Sequence, residues 1–139
     1  MFFLNQDEDD YWKNTNCEQQ WENLKNQSEA FWPTILKKIT EVQKSRKPAI
    51  FEGVNILSHL AAKDIQFPGI ILLGSSLDDI FERNKKEPRW GKTEELQMME
   101  AEGFYNCERP RYKAEAEKYG YATFYDVKEA EEKLLKILQ

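Results

Sequence analysis

The sequence predicts an α/β fold: three layers, with a parallel sheet flanked by helices. Three observations predict it. Helical patterns alternate with short apolar runs along the chain, the order expected of strand–helix units that build a parallel sheet. Gly69-Ile70-Ile71-Leu72-Leu73-Gly74 is a continuous apolar run, the pattern of a strand covered on both faces. Ala49-Ile50-Phe51 is a second such run, and it stops at Glu52-Gly53. That puts an acid at a strand's carboxyl end, where open α/β sheets bind ligands.

The totals fit one domain over residues 1–139, long enough for a core. A net charge of −5 argues against a general nucleic-acid binder. The longest apolar run, Phe67 to Leu73, is broken by Pro68 and Gly69 and is too short to cross a bilayer. No basic stretch with an apolar core opens the chain, so no secretory signal is expected. Cys17 and Cys107 have no CxxC partner, and the expectation is two reduced thiols in a cytoplasmic protein. With His59 as the single histidine, a zinc site of His and Cys is excluded and no metal site is expected.

Taken in order, Met1 to Asn5 reads as a short strand. Gln6 to Trp12 follows as an acidic loop, either a solvated N-terminal tail or a loop facing substrate, and the unit spans residues 1–15. From Asn16, a helix cap, to Ser45 the pattern is helical, with Trp21, Leu24, Phe31, Ile35, Ile39 and Val42 as its stripe. Pro33 predicts a break or a fresh start near Glu29 to Trp32. The Ala49–Phe51 strand leads to a helix from about Asn55 to Lys63, on which His59 reads as a packed or surface residue. After the Gly69 strand, Ser75 or Ser76 caps a helix that runs to about Lys86, with Asp79 three residues after Ser76 making a capping-box-like start.

Lys85 to Thr93 is a basic break in an acidic chain. It either closes over phosphates or is a solvated helix end. Thr93 starts a helix that Gly103 weakens or ends, and Asn106 restarts one with Pro110 in its first turn and Gly120 as its cap. Tyr121 to Tyr125 is the last strand. Asp126 and Glu129 open the last helix, whose stripe is Val127, Ala130, Leu134, Ile137 and Leu138.

Gly91-Lys92-Thr93 imitates the end of a phosphate-binding P-loop. The pattern GxxxxGK[ST] needs glycine at position 86, which is Lys86, and a buried strand before it, which is missing. No GxGxxG and no GxSxG occurs either.

Phe2 to Tyr11, with its Gln-Asp-Glu-Asp-Asp-Tyr ending, resembles the substrate-holding "QDDF/Y" segment of P-loop small-molecule kinases of the uridine and nicotinamide riboside kinase type. Ala49 to Leu57 resembles their third strand with its "EG" ending. Gly69 to Leu73 with Leu77 to Arg83 resembles the fourth strand and the helix leading to a lid, here residues 83–112. Tyr121 to Leu138 resembles the fifth strand and closing helix. In that family a first strand, a P-loop and its helix precede these segments, and the first strand lies between the third and fourth.

The resemblance implies a P-loop-kinase-like fold truncated at its N-terminus. It also implies site roles. Asp9 or Asp10 would contact a substrate hydroxyl, Glu52 would sit near magnesium and substrate, and Arg83 and Arg89 would touch phosphates. Mg and ATP would bind only with a P-loop supplied in trans. Without one, no efficient phosphoryl transfer is expected from this chain alone, because phosphate positioning and charge neutralisation supply nearly all of that catalysis. Three functions remain open: an inactive kinase-like binder of a nucleoside or phosphate compound, a kinase completed by a partner chain, and a non-enzymatic interaction protein. A homodimer or a partner chain would fill the missing central strand, and neither nucleic acid nor membrane is an expected partner.

Overall fold

A computed structural model describes residues 7–138. Its elements are α1 (Glu8–Asn14), α2 (Cys17–Lys44), α3 (Ser58–Asp64), β1 (Ile70–Leu72), α4 (Leu77–Lys86), α5 (Glu94–Gly103), a π-helical turn (Phe104–Glu108), α6 (Arg109–Tyr119), β2 (Ala122–Phe124) and α7 (Val127–Leu138).

The predicted three-layer parallel sheet is corrected. The described residues hold two strands of three residues each, paired in parallel with Ile70 opposite Ala122 and Leu72 opposite Phe124. The remaining regular structure is helical. The chain is therefore a helix-rich protein with a small sheet, and neither a P-loop NTPase fold nor an α/β kinase-like architecture describes it. The physical reason lies at Ala49 to Phe51. A strand needs a neighbouring edge for its backbone groups, and these residues join no sheet; Ile50 is 71% exposed. An apolar run alone does not make a strand. The predicted Met1–Asn5 strand lies outside the described residues.

The expected acidic loop is helix α1. Asp7 caps it by accepting from the Asp10 N–H at 3.1 Å, and Glu8, Asp9 and Asp10 place negative charge against its positive end. In α2, Asn16 and Gln19 form a reciprocal capping box at 2.9 and 3.0 Å. The predicted break at Pro33 does not occur: α2 continues through it for 28 residues. Pro33 is exposed, so water can satisfy the carbonyl that its missing N–H leaves free, while Trp32 beside it is anchored in the core.

That core joins Trp21, Leu24 and Trp32 of α2 to Leu57 and Leu60 at the start of α3. Asn55 donates to Ser28 Oγ at 2.9 Å, and the Ser28 hydroxyl donates to Leu24 O at 2.7 Å. These bonds fasten the linker before α3 onto α2. His59 on α3 is held between Glu115 of α6 and Glu29 of α2; of the two roles the sequence leaves open, packed or surface, this is the packed one. Ser76 caps α4, Thr93 caps α5 and Asp126 accepts from the Glu129 N–H at 3.1 Å, all as the sequence predicts. Gly120 ends α6 with φ of 80°, a left-handed conformation that costs a side-chain-bearing residue energy.

Gly103 does not stop the helix. The backbone passes from α5 through the π-turn into α6, with the Arg109 N–H bonding back to Phe104 O. The expected free thiols are also corrected: Cys17 at the start of α2 and Cys107 in the π-turn form a disulfide. Their sequence separation of 90 gives no hint of it, because helix packing alone brings them together.

Candidate functional site

Three places collect open or perturbed groups. The first is the outer edge of β1. The Leu73 N–H donates to Phe124 O at 2.8 Å. Backbone groups alternate sides along a strand, so Ile70 and Leu72 turn theirs away from β2, to an edge with no paired strand among the described residues. Leu72 is 40% exposed, and no charged side chain lies within the three-residue strand. Such an edge is a template for pairing. The extended stretch after α2 is anchored near its end: Phe51 lies against Phe67 with ring centres 6.2 Å apart, and Tyr112 Oη donates to Val54 O at 2.6 Å. Ile50 and Val54 stay exposed on it.

The second place is the carboxyl end of β1, at Gly74-Ser75-Ser76. Arg109 Nη2 donates to Gly74 O at 3.0 Å and Ser75 O at 3.3 Å, and its guanidinium lies over the rings of Tyr105 and Tyr125. Ser75 donates to Asp79. Hydrogen bonds from Ser75 and Ser76, with the Arg83 charge as a smaller cause, hold the Asp79 carboxyl below its ordinary value. The positive end of α4 thus already faces its own acids, Asp78 and Asp79. This leaves little attraction for an incoming phosphate.

The third place is where the basic loop between α4 and α5 meets α1, α5 and the π-turn. Gln97 Nε2 donates to Gly91 O at 3.0 Å, and the backbone N–H groups of Trp90 and Gly91 reach the Glu100 carboxyl. Burial raises Glu100, and the neighbouring Glu8 charge raises it further. Burial also raises Glu8, opposed by the hydrogen bond it accepts from Trp12 Nε1 at 3.2 Å. Tyr11, Trp12 and Trp90 pack as an aromatic triplet with ring centres 4.9 to 6.1 Å apart. Trp12 lies so close over Gly103 that a Cβ there would meet its ring at 2.5 Å, so any side chain at 103 forces the tryptophan to move.

Glu108 keeps part of its surface, yet its carboxyl is crowded by protein. Burial pushes it up to about 7, with the Arg89 charge opposing. Burial, with the charges of Glu108 and Glu115, also raises Tyr112. The folded chain therefore holds a Glu108 proton that the unfolded chain, at 4.5, releases. This stability is complete below pH 4.5 and is lost as the pH rises through about 7, at most about 3 kcal/mol from a shift of this size. Glu108→Gln should remove that dependence. Urea midpoints of the two proteins on either side of pH 7 should show wild type losing ground to the variant as the pH rises; parallel curves would contradict the assignment.

The structure distributes the five sequence-derived site residues rather than gathering them. Asp9 pairs with Lys13 at 2.6 Å and Asp10 accepts from Asn14 at 2.6 Å, both within α1. Glu52 is exposed on the extended stretch. Arg83 faces Asp79 of its own helix, and Arg89 faces Glu108 and Glu100. No group of three His, Cys, Asp or Glu residues able to hold a metal ion occurs among the described residues. No described helix is long and apolar enough to cross a membrane. Sequence reasoning missed Glu108, Glu100, Arg109 and the cysteine pair, none of which sits in a recognisable motif. No family model, curated protein or solved structure matches the chain.

Proposed function

We propose that the chain is a non-enzymatic interaction module that takes up an extended, apolar strand of a partner chain along the outer edge of β1. The observation that carries this reading is the edge at Ile70 and Leu72, which pairs with no strand among the described residues, is uncharged and leaves Leu72 exposed. A two-stranded sheet is marginal by itself, and a third strand would give it a partner on its free side. The exposed Ile50 and Val54 offer further apolar surface on the extended stretch. The resemblance to uridine-type kinases contributes an absence: these 139 residues contain no GxxxxGK[ST] pattern, so phosphoryl transfer is not part of the proposal.

Leu72→Pro tests it. Proline there removes an N–H on the open side and leaves the hydrogen bonds to β2 in place. A labelled valine- and isoleucine-rich peptide with flanking lysines, attracted by the chain's net charge of −5, should bind wild type. The variant should bind at least about tenfold more weakly, a loss of about 1.4 kcal/mol. Equal binding, or micromolar binding of ATP·Mg by calorimetry, would sink the proposal.

A further inference from the structure

Cys17 and Cys107 line an open pocket of about 330 Å³ between α1, the start of α2, the end of α5 and the π-turn, together with Trp12, Gln20, Glu102 and Asn106. Three features of this pocket go beyond a structural staple. Cys17 is an exposed residue, so the disulfide is not sealed in the core. Gln20 is 5% exposed; its Nε2 donates to Thr15 O at 3.3 Å, while its Oε1 is buried with no hydrogen-bond partner. A buried acceptor left unpaired is costly and calls for a donor. Finally, Cys17 is the first residue of the 28-residue α2. Asn16 satisfies the N–H groups of Gln19 and Gln20 through its side chain and its carbonyl, and the first-turn N–H groups of Cys17 and Glu18 have no partner within the helix.

We propose that this pocket is a thiol–disulfide exchange site for a small peptide thiol. The incoming thiolate attacks Cys107 Sγ. A new sulfur–sulfur bond forms between them, the Cys17–Cys107 bond breaks, and Cys17 departs with the electron pair as a thiolate. The positive end of α2 and its free N–H groups favour that thiolate as the leaving group. A second thiol then attacks the mixed disulfide, releasing the oxidised peptide disulfide and leaving Cys107 reduced. Two electrons pass from two thiols to the protein. Gln20 Oε1 accepts a hydrogen bond from an amide N–H of the incoming peptide, which distinguishes a peptide thiol from a simple one.

The test uses the full oxidised chain with reduced glutathione as the peptide thiol and 2-mercaptoethanol as the simple one. Millimolar glutathione at neutral pH should release two thiols per chain while far-ultraviolet circular dichroism stays native. Acid quenching during the reaction should trap the glutathione adduct on Cys107. Gln20→Leu should slow exchange with glutathione about tenfold and leave the rate with 2-mercaptoethanol unchanged, which separates binding from a loosened fold. A disulfide that survives until the chain unfolds overturns the proposal. So does an adduct confined to Cys17, or a Gln20→Leu effect equal for both thiols.

Discussion

Trp32→Ala should lower stability by about 3–5 kcal/mol, the range for truncating a buried tryptophan. Trp32 is 5% exposed and belongs to the cluster that joins α2 to Leu57 and Leu60. Its Nε1 also donates to Asp64 Oδ2 at 2.7 Å, so one side chain ties the middle of α2 to the end of α3. Removing it opens a cavity between two elements joined by a long irregular stretch, and that stretch cannot collapse inward to fill the space. Trp32→Phe keeps most of the packing and loses the hydrogen bond; it should cost about 1 kcal/mol. Denaturant unfolding of both variants checks the ordering. A loss below about 1 kcal/mol for Trp32→Ala would mean that the α2–α3 contact does not organise the core.

Converting both Cys17 and Cys107 to serine should cost about 4–5 kcal/mol, because the bridge closes a long loop whose freedom in the unfolded chain is otherwise large. The sequence separation of 90 sets the size of this effect. The bridge clasps the start of α2 to the π-turn, next to Glu108. Its loss should therefore act through the unfolded state and leave the Trp21–Leu57 cluster intact. Guanidinium unfolding of the oxidised chain and the double-serine variant gives the difference, and near-ultraviolet circular dichroism reports whether the aromatic core keeps its native signal. Equal midpoints would show that the cross-link constrains nothing that the fold does not already fix.

Local order was legible in the sequence where side chains close rings with nearby backbone. Asn16, Ser76, Thr93, Asp126 and Gly120 all cap helices as read, because a cap needs only three or four neighbouring residues. The apolar runs at Ile70–Leu72 and Ala122–Phe124 became strands because they found each other. The identical logic failed at Ala49–Phe51, which pairs with no strand among the described residues although the run is as apolar as the other two. Pro33 misled for a related reason. Its cost is local, and the packing of Trp32 and Ile39 on either side outweighs it. The site residues were the least legible. The resemblance makes Asp9 and Arg89 contacts for a ligand; in the structure Asp9 pairs with Lys13, and the Arg89 charge acts on Glu108. Glu108 acquires its character from desolvation, which no residue spacing announces.

The π-turn carries one more consequence. From Glu94 to Tyr119 the chain is a single rod in which Phe104–Glu108 holds a wider loop of backbone than an α-helix needs. That surplus lies between two surfaces. Upstream, Gln97 and Glu100 address the basic loop; downstream, Tyr112 and Glu115 address Val54 and His59. Deleting one residue there would take up that surplus and return the segment to α-helical winding, with the change confined to the turn that carries Cys107 and Glu108.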